Sequence, residues 1–406
     1  MIRYLFPLLV CALARSQPLP ELVEAALRNN REILAAQKRY EAARQRAPQE
    51  RSLPDPVVSV GYTSVGRPYP VAGIGSTVTA NAGVTVSQEM PFPGKRELRG
   101  AIAEREASAE FEEYRAVRLS VVARLTRAYH ELHHADAAIG FTRRYQDLLR
   151  NMLHIAEARY AVGRAAQQDI FKMQTQFSIF AAQLARYEQD RVSKTLEINA
   201  LLNRPMESAV EVSEDVPVGE LTVSLDELLA RARKAPVLAR EQTMVQRSEL
   251  AENLARKNRL PDYTVSGGYF NQGAMPPMWQ FRVDLKIPAW ARTRQQGEVT
   301  ERAFAASQAR HEYEAAGVSV EAQVRDAYTQ AATARKLADL YAKSVIPEAQ
   351  LGLESSMTAY ETGSLDFLPV YSNFMNVVEY QLMYHEEIMQ FHLALARLEE
   401  LTGGEG

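Results

Sequence analysis

Three histidines have the spacing of metal ligands on a helix. His130, His133 and His134 stand at positions i, i+3 and i+4, so that in a helix their imidazoles share one face and could bind a metal ion. The order H-E-x-x-H is absent, and neither a carboxylate nor a cysteine completes an obvious ligand set. We therefore interpret these histidines as part of a solvated helix face.

The other candidate functional residues do not form a catalytic set. Met275 and Met278 could offer thioether ligands to a soft metal in an external loop, but a simple turn is the favoured interpretation. The chain has no G-x-S-x-G nucleophile motif and no phosphate-binding loop. We predict a protein that is not an enzyme, with no catalytic residues, no metal centre and no cofactor.

Composition narrows the class of protein further. Of the 406 residues, 46% are hydrophobic and 24% charged, and 47 Lys+Arg against 50 Asp+Glu leave a net charge of −3. This balance is typical of a globular protein and does not indicate a nucleic-acid partner. Because Cys11 is the one cysteine, a disulfide within the chain and a cysteine zinc site are excluded. Beyond the N-terminal segment we find no apolar run of the roughly 18 residues that a transmembrane helix needs.

The N-terminus has the pattern of a secretory signal peptide, which we place at residues 1–16. A basic start with Arg3 precedes an apolar stretch from Leu5 to Ala14, and Ala12-Leu13-Ala14 forms an A-x-A cleavage site. Two alternatives stay open: a lipoprotein acylated on Cys11, and an apolar N-terminal helix of a cytosolic protein.

The rest of the chain is an internal duplication with an offset of roughly 200 residues. We place the first repeat at 17–204, a linker at 205–223 and the second repeat at 224–403. Three pairs of motifs carry the duplication: Leu53-Pro54-Asp55 with Leu260-Pro261-Asp262, Val57–Tyr62 with Thr264–Tyr269, and Tyr160-x-x-Gly163 with Tyr360-x-x-Gly363.

Each repeat is predicted as a helix, two strands, a very long helix and a final helix. The first long helix shows apolar residues at alternating steps of four and three from Val121 to Ile139, a coiled-coil seam, and the second long helix repeats the pattern from Val320 to Val345. Pro347 should kink the second long helix or mark a local break. In chain order the predicted elements are a helix over 21–47, strands 56–65 and 77–88, helices 95–161 and 167–203, then, after a further helix, strands 263–270 and 279–287 and helices 292–361 and 366–402.

The predicted strands alternate between apolar and polar residues. In the second repeat Phe281, Val283 and Leu285 oppose Gln280, Arg282 and Asp284. Strands of roughly ten residues with one apolar and one polar face fit a sheet with lipid on one side and water on the other, although a half-buried soluble hairpin gives the same pattern. Because four strands leave two open edges, we expect the chain to oligomerise through strand pairing.

The duplicated plan resembles the TolC-like outer-membrane efflux factors of Gram-negative bacteria. The resemblance rests on Tyr160-x-x-Gly163 followed by Gln167-Gln168-Asp169-Ile170, and on Tyr360-x-x-Gly363; the Gly-Arg-Ala-Ala-Gln-Gln-Asp run is similar to the heavy-metal branch. The resemblance implies a mixed α and β membrane protein, in which a long α-helical coiled-coil barrel joins four strands per chain of a shared β-barrel in a homotrimer.

The resemblance also implies a function. The protein would be the outer-membrane channel of a tripartite efflux system, exporting small solutes, with metal cations the favoured cargo. It would lie in the outer membrane, in contact with lipid, and extend into the periplasm to meet a periplasmic adaptor protein and an inner-membrane pump. Two alternatives stay open: the outer-membrane arm of a type I protein secretion system, and a helical scaffold without a pore.

Residue roles follow from the same resemblance. The adaptor contact of the family falls on Val162, Gly163, Thr362 and Gly363 at two helix tips, where a plain αα-hairpin turn is the alternative.

A gate is expected next to these tips. In the family a hydrogen bond that corresponds to Asp169 and Tyr360 helps to hold the closed state. Leu365 replaces a basic residue of the family's best-known member, so part of that latch is missing. Asp366 could supply a ring of three carboxylates at the channel mouth, or it could simply cap the final helix.

Overall fold

The computed structural model describes residues 18–67, 69–70, 72–212 and 217–404. The expected signal peptide, with Cys11, lies outside the described residues. The chain divides into two compact units. The helical unit comprises the segments up to Ala35, Arg115–Ala235 and from Ser319 onward, and the sheet unit comprises Ala36–Tyr114 and Pro236–Val318. The compact units therefore differ from the repeats placed at 17–204 and 224–403, because each unit packs corresponding parts of both repeats together.

The N-terminal region forms three helices rather than the single helix expected over 21–47. They are α1 (Leu19–Asn29), α2 (Arg31–Arg44) and α3 (Arg46–Arg51). The first break lies at Asn30, whose buried side chain accepts hydrogen bonds from the backbone N–H groups of Glu32 and Ile33 and donates one to the Leu201 carbonyl. Asparagine side chains that bind the backbone in this way favour a helix start over a helix interior.

The first long helix, α4, runs from Lys95 to Ala161, and α5 runs from Gln167 to Leu202. The second repeat has more elements: α6 (Leu225–Ala232), α7 (Pro236–Lys257), α8 (Gln296–Leu340), α9 (Ile346–Thr362) and α10 (Phe367–Thr402), with π-helical turns at Ala291–Gln295 and Tyr341–Val345. The helix expected over 292–361 is thus interrupted. None of the helices in the described part of the chain combines the length and apolar character needed to cross a membrane.

The π-helical turn before Pro347 shifts the coiled-coil seam by one residue. Up to the turn, Val324, Ala331 and Ala338 are buried at steps of seven. After it, the buried positions are Ile346, Leu353 and Tyr360, again at steps of seven, whereas Val345 is half-buried. Pro347 lacks the N–H that a helix interior requires, and its ring clashes with the preceding turn. The wider π-helical turn lies directly before this proline for that reason. The sequence pattern, which continued the seam through Tyr341 and Val345, missed this inserted residue.

The sheet unit contains one antiparallel four-stranded sheet in the order β1-β2-β3-β4. The strands are β1 (Val57–Thr63), β2 (Asn81–Met90), β3 (Asp262–Gln272) and β4 (Met275–Lys286). The central pairing of β2 with β3 joins the two repeats, with Val84 opposite Tyr269. The outer edges of β1 and β4 have no partner strand within the described residues.

Two strand ends differ from expectation. The strand expected over 77–88 begins at Asn81, because the N–H and hydroxyl of Thr77 both bind the Gly73 carbonyl and hold this segment in a turn. The strand expected over 279–287 begins four residues earlier, so Met275 and Met278 lie within β4 rather than in a loop. A tight turn at Gly273, with φ +74°, makes this longer strand possible.

The register of the sheet produces one apolar face. Directly paired residues share a face, and one row across all four strands is Val60, Val84, Tyr269 and Trp279. The exposed fractions of Val60, Trp279 and Phe281 are 81%, 77% and 76%. The opposite face carries the row Ser59, Thr85, Gly268 and Gln280. A contiguous exposed apolar face of this kind marks a surface that contacts lipid or another protein.

In the helical unit, two helical hairpins pack against each other. The first hairpin is α4 with α5, and the second is α9 with α10. Both contribute to one apolar core, whose largest fully buried side chains are Leu149, Met173, Phe180, Val370 and Phe374. Aromatic edges meet in this core, because the ring of Phe374 makes T-shaped contacts with Tyr145 and Phe180.

The histidine cluster lies inside this unit rather than on a solvated helix face. His130 and His133 are 7% and 8% exposed, and the imidazole of His130 stacks on that of His392 from α10 with centroids 4.1 Å apart. The Nδ1 atoms of His130 and His385 are buried without a hydrogen-bond partner among the described residues. No group of three or more histidine, cysteine or acidic side chains in the described ranges could hold a metal.

We predict that this cluster weakens the fold in acid. Burial, with the neighbouring histidines, lowers the pKa of His130 to about 3 and that of His385 to about 4 from an ordinary value of 6.5. Below about pH 6.5 the unfolded chain takes up protons that the folded chain cannot, so stability falls as the pH falls toward about 4. The thermal midpoint of the detergent-solubilised protein should therefore drop between about pH 7.5 and pH 5, and His130→Phe should reduce that drop. An equal reduction in His311→Gln, an exposed histidine on α8, would contradict this explanation.

Candidate gate and docking tips

The two hairpins end in tips of the same backbone geometry. The N–H of Gly163 donates to the Tyr160 carbonyl at 2.9 Å, and the N–H of Arg164 donates to the Arg159 carbonyl at 2.8 Å. At the second tip the N–H groups of Gly363 and Ser364 make the equivalent bonds to the carbonyls of Tyr360 and Ala359, at 3.0 and 2.9 Å. Gly163 and Gly363 have φ of +74° and +82°, a left-handed conformation that glycine adopts without strain.

The predicted docking residues lie on the surface of these tips. Val162 is 68% exposed, and Gly163, Thr362 and Gly363 are exposed as well. A methyl group added to Gly163 would meet nothing within 4 Å, so its backbone conformation is the reason for glycine there. The structure brings exposed residues to each tip, and their role in docking stays a prediction.

The hydrogen bond expected between Asp169 and Tyr360 is absent from the part of the chain that the structure describes. The Tyr360 hydroxyl is buried and has no hydrogen-bond partner there. Burial raises the pKa of Tyr360, the negative charge of Asp169 adds to the rise, and the positive charge of Arg159 opposes it. Asp169 is therefore close enough to act on the hydroxyl through its charge, but it does not accept a hydrogen bond from it.

Arg159 makes the contacts that Asp169 does not. Its guanidinium carbon lies 4.4 Å from the centroid of the Tyr360 ring, and its Nη1 donates to the Tyr360 backbone carbonyl. This carbonyl lies in the last turn of α9 and also accepts a hydrogen bond from the Gly363 N–H, so the guanidinium supplies a second donor to it. The repeated motif Tyr160-x-x-Gly163 begins one residue after Arg159, so the sequence analysis assigned Arg159 no role. A basic residue one turn before the tip glycine was the available signal.

A second polar contact joins the hairpins deeper in the core. The Tyr371 hydroxyl on α10 donates to Oε1 of Gln176 on α5 at 3.0 Å, and Gln176 is 6% exposed. The ammonium of Lys172 lies 4.7 Å from the centroid of the Tyr371 ring. This pair was also missed. Gln176 stands between Met173 and Phe180 on an apolar stripe, and that position in the sequence predicts a buried amide that needs a partner.

Asp366 occupies the N-cap position of α10 without acting as a side-chain cap. Its side chain is exposed and makes no capping hydrogen bond in the described structure. Leu365 is half-buried against the hydrophobic core of the two hairpins. The structure therefore does not support Asp366 as a simple side-chain cap of α10. Its carboxylate is exposed to solvent.

Comparison with known proteins identifies a family and two relatives to which this chain is similar. Residues 22–204 match the family described as outer membrane efflux protein. The chain is 21% identical to the cobalt-zinc-cadmium resistance protein CzcC of Cupriavidus metallidurans, covering 95% of this chain and 90% of that protein. It is 23% identical to the outer membrane protein TolC of Vibrio cholerae, with 95% and 92% covered.

Solved structures agree with this fold over both repeats. The structure of CusC, described in connection with transmembrane channel formation, matches with a TM-score of 0.81 and 15% identity, covering 97% of this chain and 96% of that chain. The predicted fold class, long helices with a four-stranded sheet per chain, is confirmed.

We predict that Tyr371→Phe destabilises the packing of the two hairpins. The substitution leaves the buried Gln176 oxygen without its donor, which costs about 1–3 kcal/mol. The expected result is a lower thermal midpoint, whereas Tyr160→Phe, at a ring that is 45% exposed, should change little. Combining Tyr371→Phe with Gln176→Leu should recover part of the loss because both polar partners are then removed. Equal midpoints for the wild type and Tyr371→Phe would rule out a net contribution from this bond.

Proposed function

This chain belongs to the outer membrane efflux protein family, whose TolC-like plan it shares over both repeats, and on that premise we propose that it is the outer-membrane channel of a tripartite efflux system. It resides in the Gram-negative outer membrane and extends into the periplasm. The observation that carries the proposal is the four-stranded sheet, because its one exposed apolar face suits lipid and its opposite polar face suits water.

Oligomerisation completes the channel. A single sheet with open edges at β1 and β4 cannot enclose water, and unpaired backbone groups in lipid are costly. Strand pairing between copies satisfies both edges, and the family resemblance favours a homotrimer. The protein is a passive channel rather than an enzyme, so the energy for export comes from an inner-membrane pump.

The tips contact the periplasmic adaptor protein of the system. Support comes from the exposure of Val162, Gly163, Thr362 and Gly363 at the ends of the two hairpins. A turn whose backbone shape is fixed by glycine offers a rigid surface for docking, because little conformational freedom is lost on binding.

Metal cations are the proposed cargo. The similarity to the cobalt-zinc-cadmium resistance protein supports this class, and the exposed carboxylate of Asp366 supports it independently. In a homotrimer three such carboxylates would form a ring that attracts cations and repels anions. Selection of one metal over another then rests with the pump and the adaptor.

Membrane insertion can be tested on neighbouring residues of β4. Phe281 lies on the apolar face, and Gln280 lies on the polar face. Phe281→Arg should block insertion or reduce it strongly, since an arginine facing lipid costs about 2–4 kcal/mol near the middle of the bilayer. Gln280→Arg should insert normally. The measurement is the yield of heat-modifiable trimers in the outer-membrane fraction, and equal yields for both variants would contradict the assignment of faces.

Conduction and selectivity can be tested in planar bilayers. The purified protein should conduct, and its current should prefer cations. Asp366→Asn should lower the cation-to-anion permeability ratio with little effect on stability, because the side chain makes no capping bond. Glu207→Gln, an exposed carboxylate in the linker, is the matched control. Absence of any conductance would overturn the channel, and an unchanged ratio in Asp366→Asn would overturn the carboxylate ring.

A further inference from the structure

Equivalent tyrosines of the two repeats have different surroundings at the tips. Tyr160, three residues before Gly163, is 45% exposed, whereas Tyr360, three residues before Gly363, is 6% exposed. The residue before each tyrosine differs too, since Arg159 stands where the second repeat has Ala359. The duplication has therefore kept the motif but placed a cation in the first copy and a buried ring in the second.

The cation and the ring meet across the two hairpins. Arg159 belongs to α4 and Tyr360 to α9, and the guanidinium lies over the ring at 4.4 Å from its centroid. Three features of α9 attract the guanidinium: the electron-rich ring face, the Tyr360 carbonyl that accepts its hydrogen bond, and the negative end of the helix dipole. A methyl group added to Gly363 would lie 3.7 Å from Nη2 of Arg159, so the side chain also lies against the second tip.

We propose that Arg159 is a positioning residue that holds the end of α9 against α4 and so limits the width of the channel at the tips. This inference rests on the channel function proposed above. When the contact is lost, the α9–α10 tip is free to move away from the α4–α5 tip, and a wider constriction passes more current. Because the Tyr360 hydroxyl has no partner among the described residues, the ring and the carbonyl make the contact, and the hydroxyl does not.

Current through single trimers in planar bilayers tests this role. Arg159→Gln should raise the resting conductance or the open fraction roughly fivefold, which is the change expected when one weak interaction between the two tips is lost. Arg159→Lys keeps a cation near the ring and should restore most of the wild-type value. Arg164→Gln, at an exposed arginine of the first tip, should match the wild type.

Tyrosine variants separate the ring from the hydroxyl. Tyr360→Phe keeps the ring face and the carbonyl and should leave the current unchanged, whereas Tyr360→Leu should raise it as Arg159→Gln does. In the double variant Arg159→Gln/Tyr360→Leu the two effects should not add, because both remove the same contact. Trimer yield and thermal midpoint are measured alongside; a merely structural role would lower both without changing the current of intact trimers.

The outcomes distinguish this inference from the function on which it rests. Wild-type current in Arg159→Gln overturns the role of Arg159 while leaving the channel in place. A rise in Tyr360→Phe equal to that in Arg159→Gln overturns it in favour of a hydroxyl latch with Asp169. No current in the wild type overturns the channel itself.

Discussion

The pairing of β2 with β3 is the constraint on which the sheet unit depends. These strands come from different repeats, and their register, with Val84 opposite Tyr269, decides which side chains share a face. A slip of one residue would move every apolar side chain of one repeat to the polar face. The helical unit obeys a similar rule, because neither hairpin can bury its apolar stripe alone. Each repeat is therefore an incomplete structure that the other completes.

The sequence predicted an element best where a single apolar pattern was not interrupted by side chains that hydrogen-bond to the backbone. Helix α4 could be placed at 95–161 because no proline occurs between Pro93 and Pro205 and the apolar seam from Val121 to Ile139 keeps one register. The prediction from periodicity failed where a side chain made hydrogen bonds to backbone groups or, at a proline, removed a backbone donor. Asn30 splits the first helix, Thr77 delays β2, and the proline at 347 accompanies a π-helical turn. Such bonds depend on a few atoms and leave no periodic signal.

The candidate site was predictable only in part. The tips followed from two glycines that the duplication repeats, because a left-handed turn requires that residue. The polar contacts between hairpins did not follow, since they depend on which side chains of two helices reach each other. Arg159 and Gln176 were visible as a cation near a tip and an amide on an apolar stripe. The partner of each could be identified only with the helices packed.

The π-helical turn at Tyr341–Val345 has a consequence at the far end of α9. A π-helical turn takes up one residue more than an α-helical turn, so the residues that follow it keep the seam to which Ala338 belongs. If the chain were α-helical through this turn, each residue that follows would be rotated by about 100° around the helix axis, and the seam counted by sevens from Ala338 would pass through the positions just before Leu353 and Tyr360. Ala359 would then occupy the buried position, and the aromatic ring would turn away from its cation. The wider turn thus decides, fifteen residues before the tip, that the ring of Tyr360 and not Ala359 takes the buried position next to Arg159.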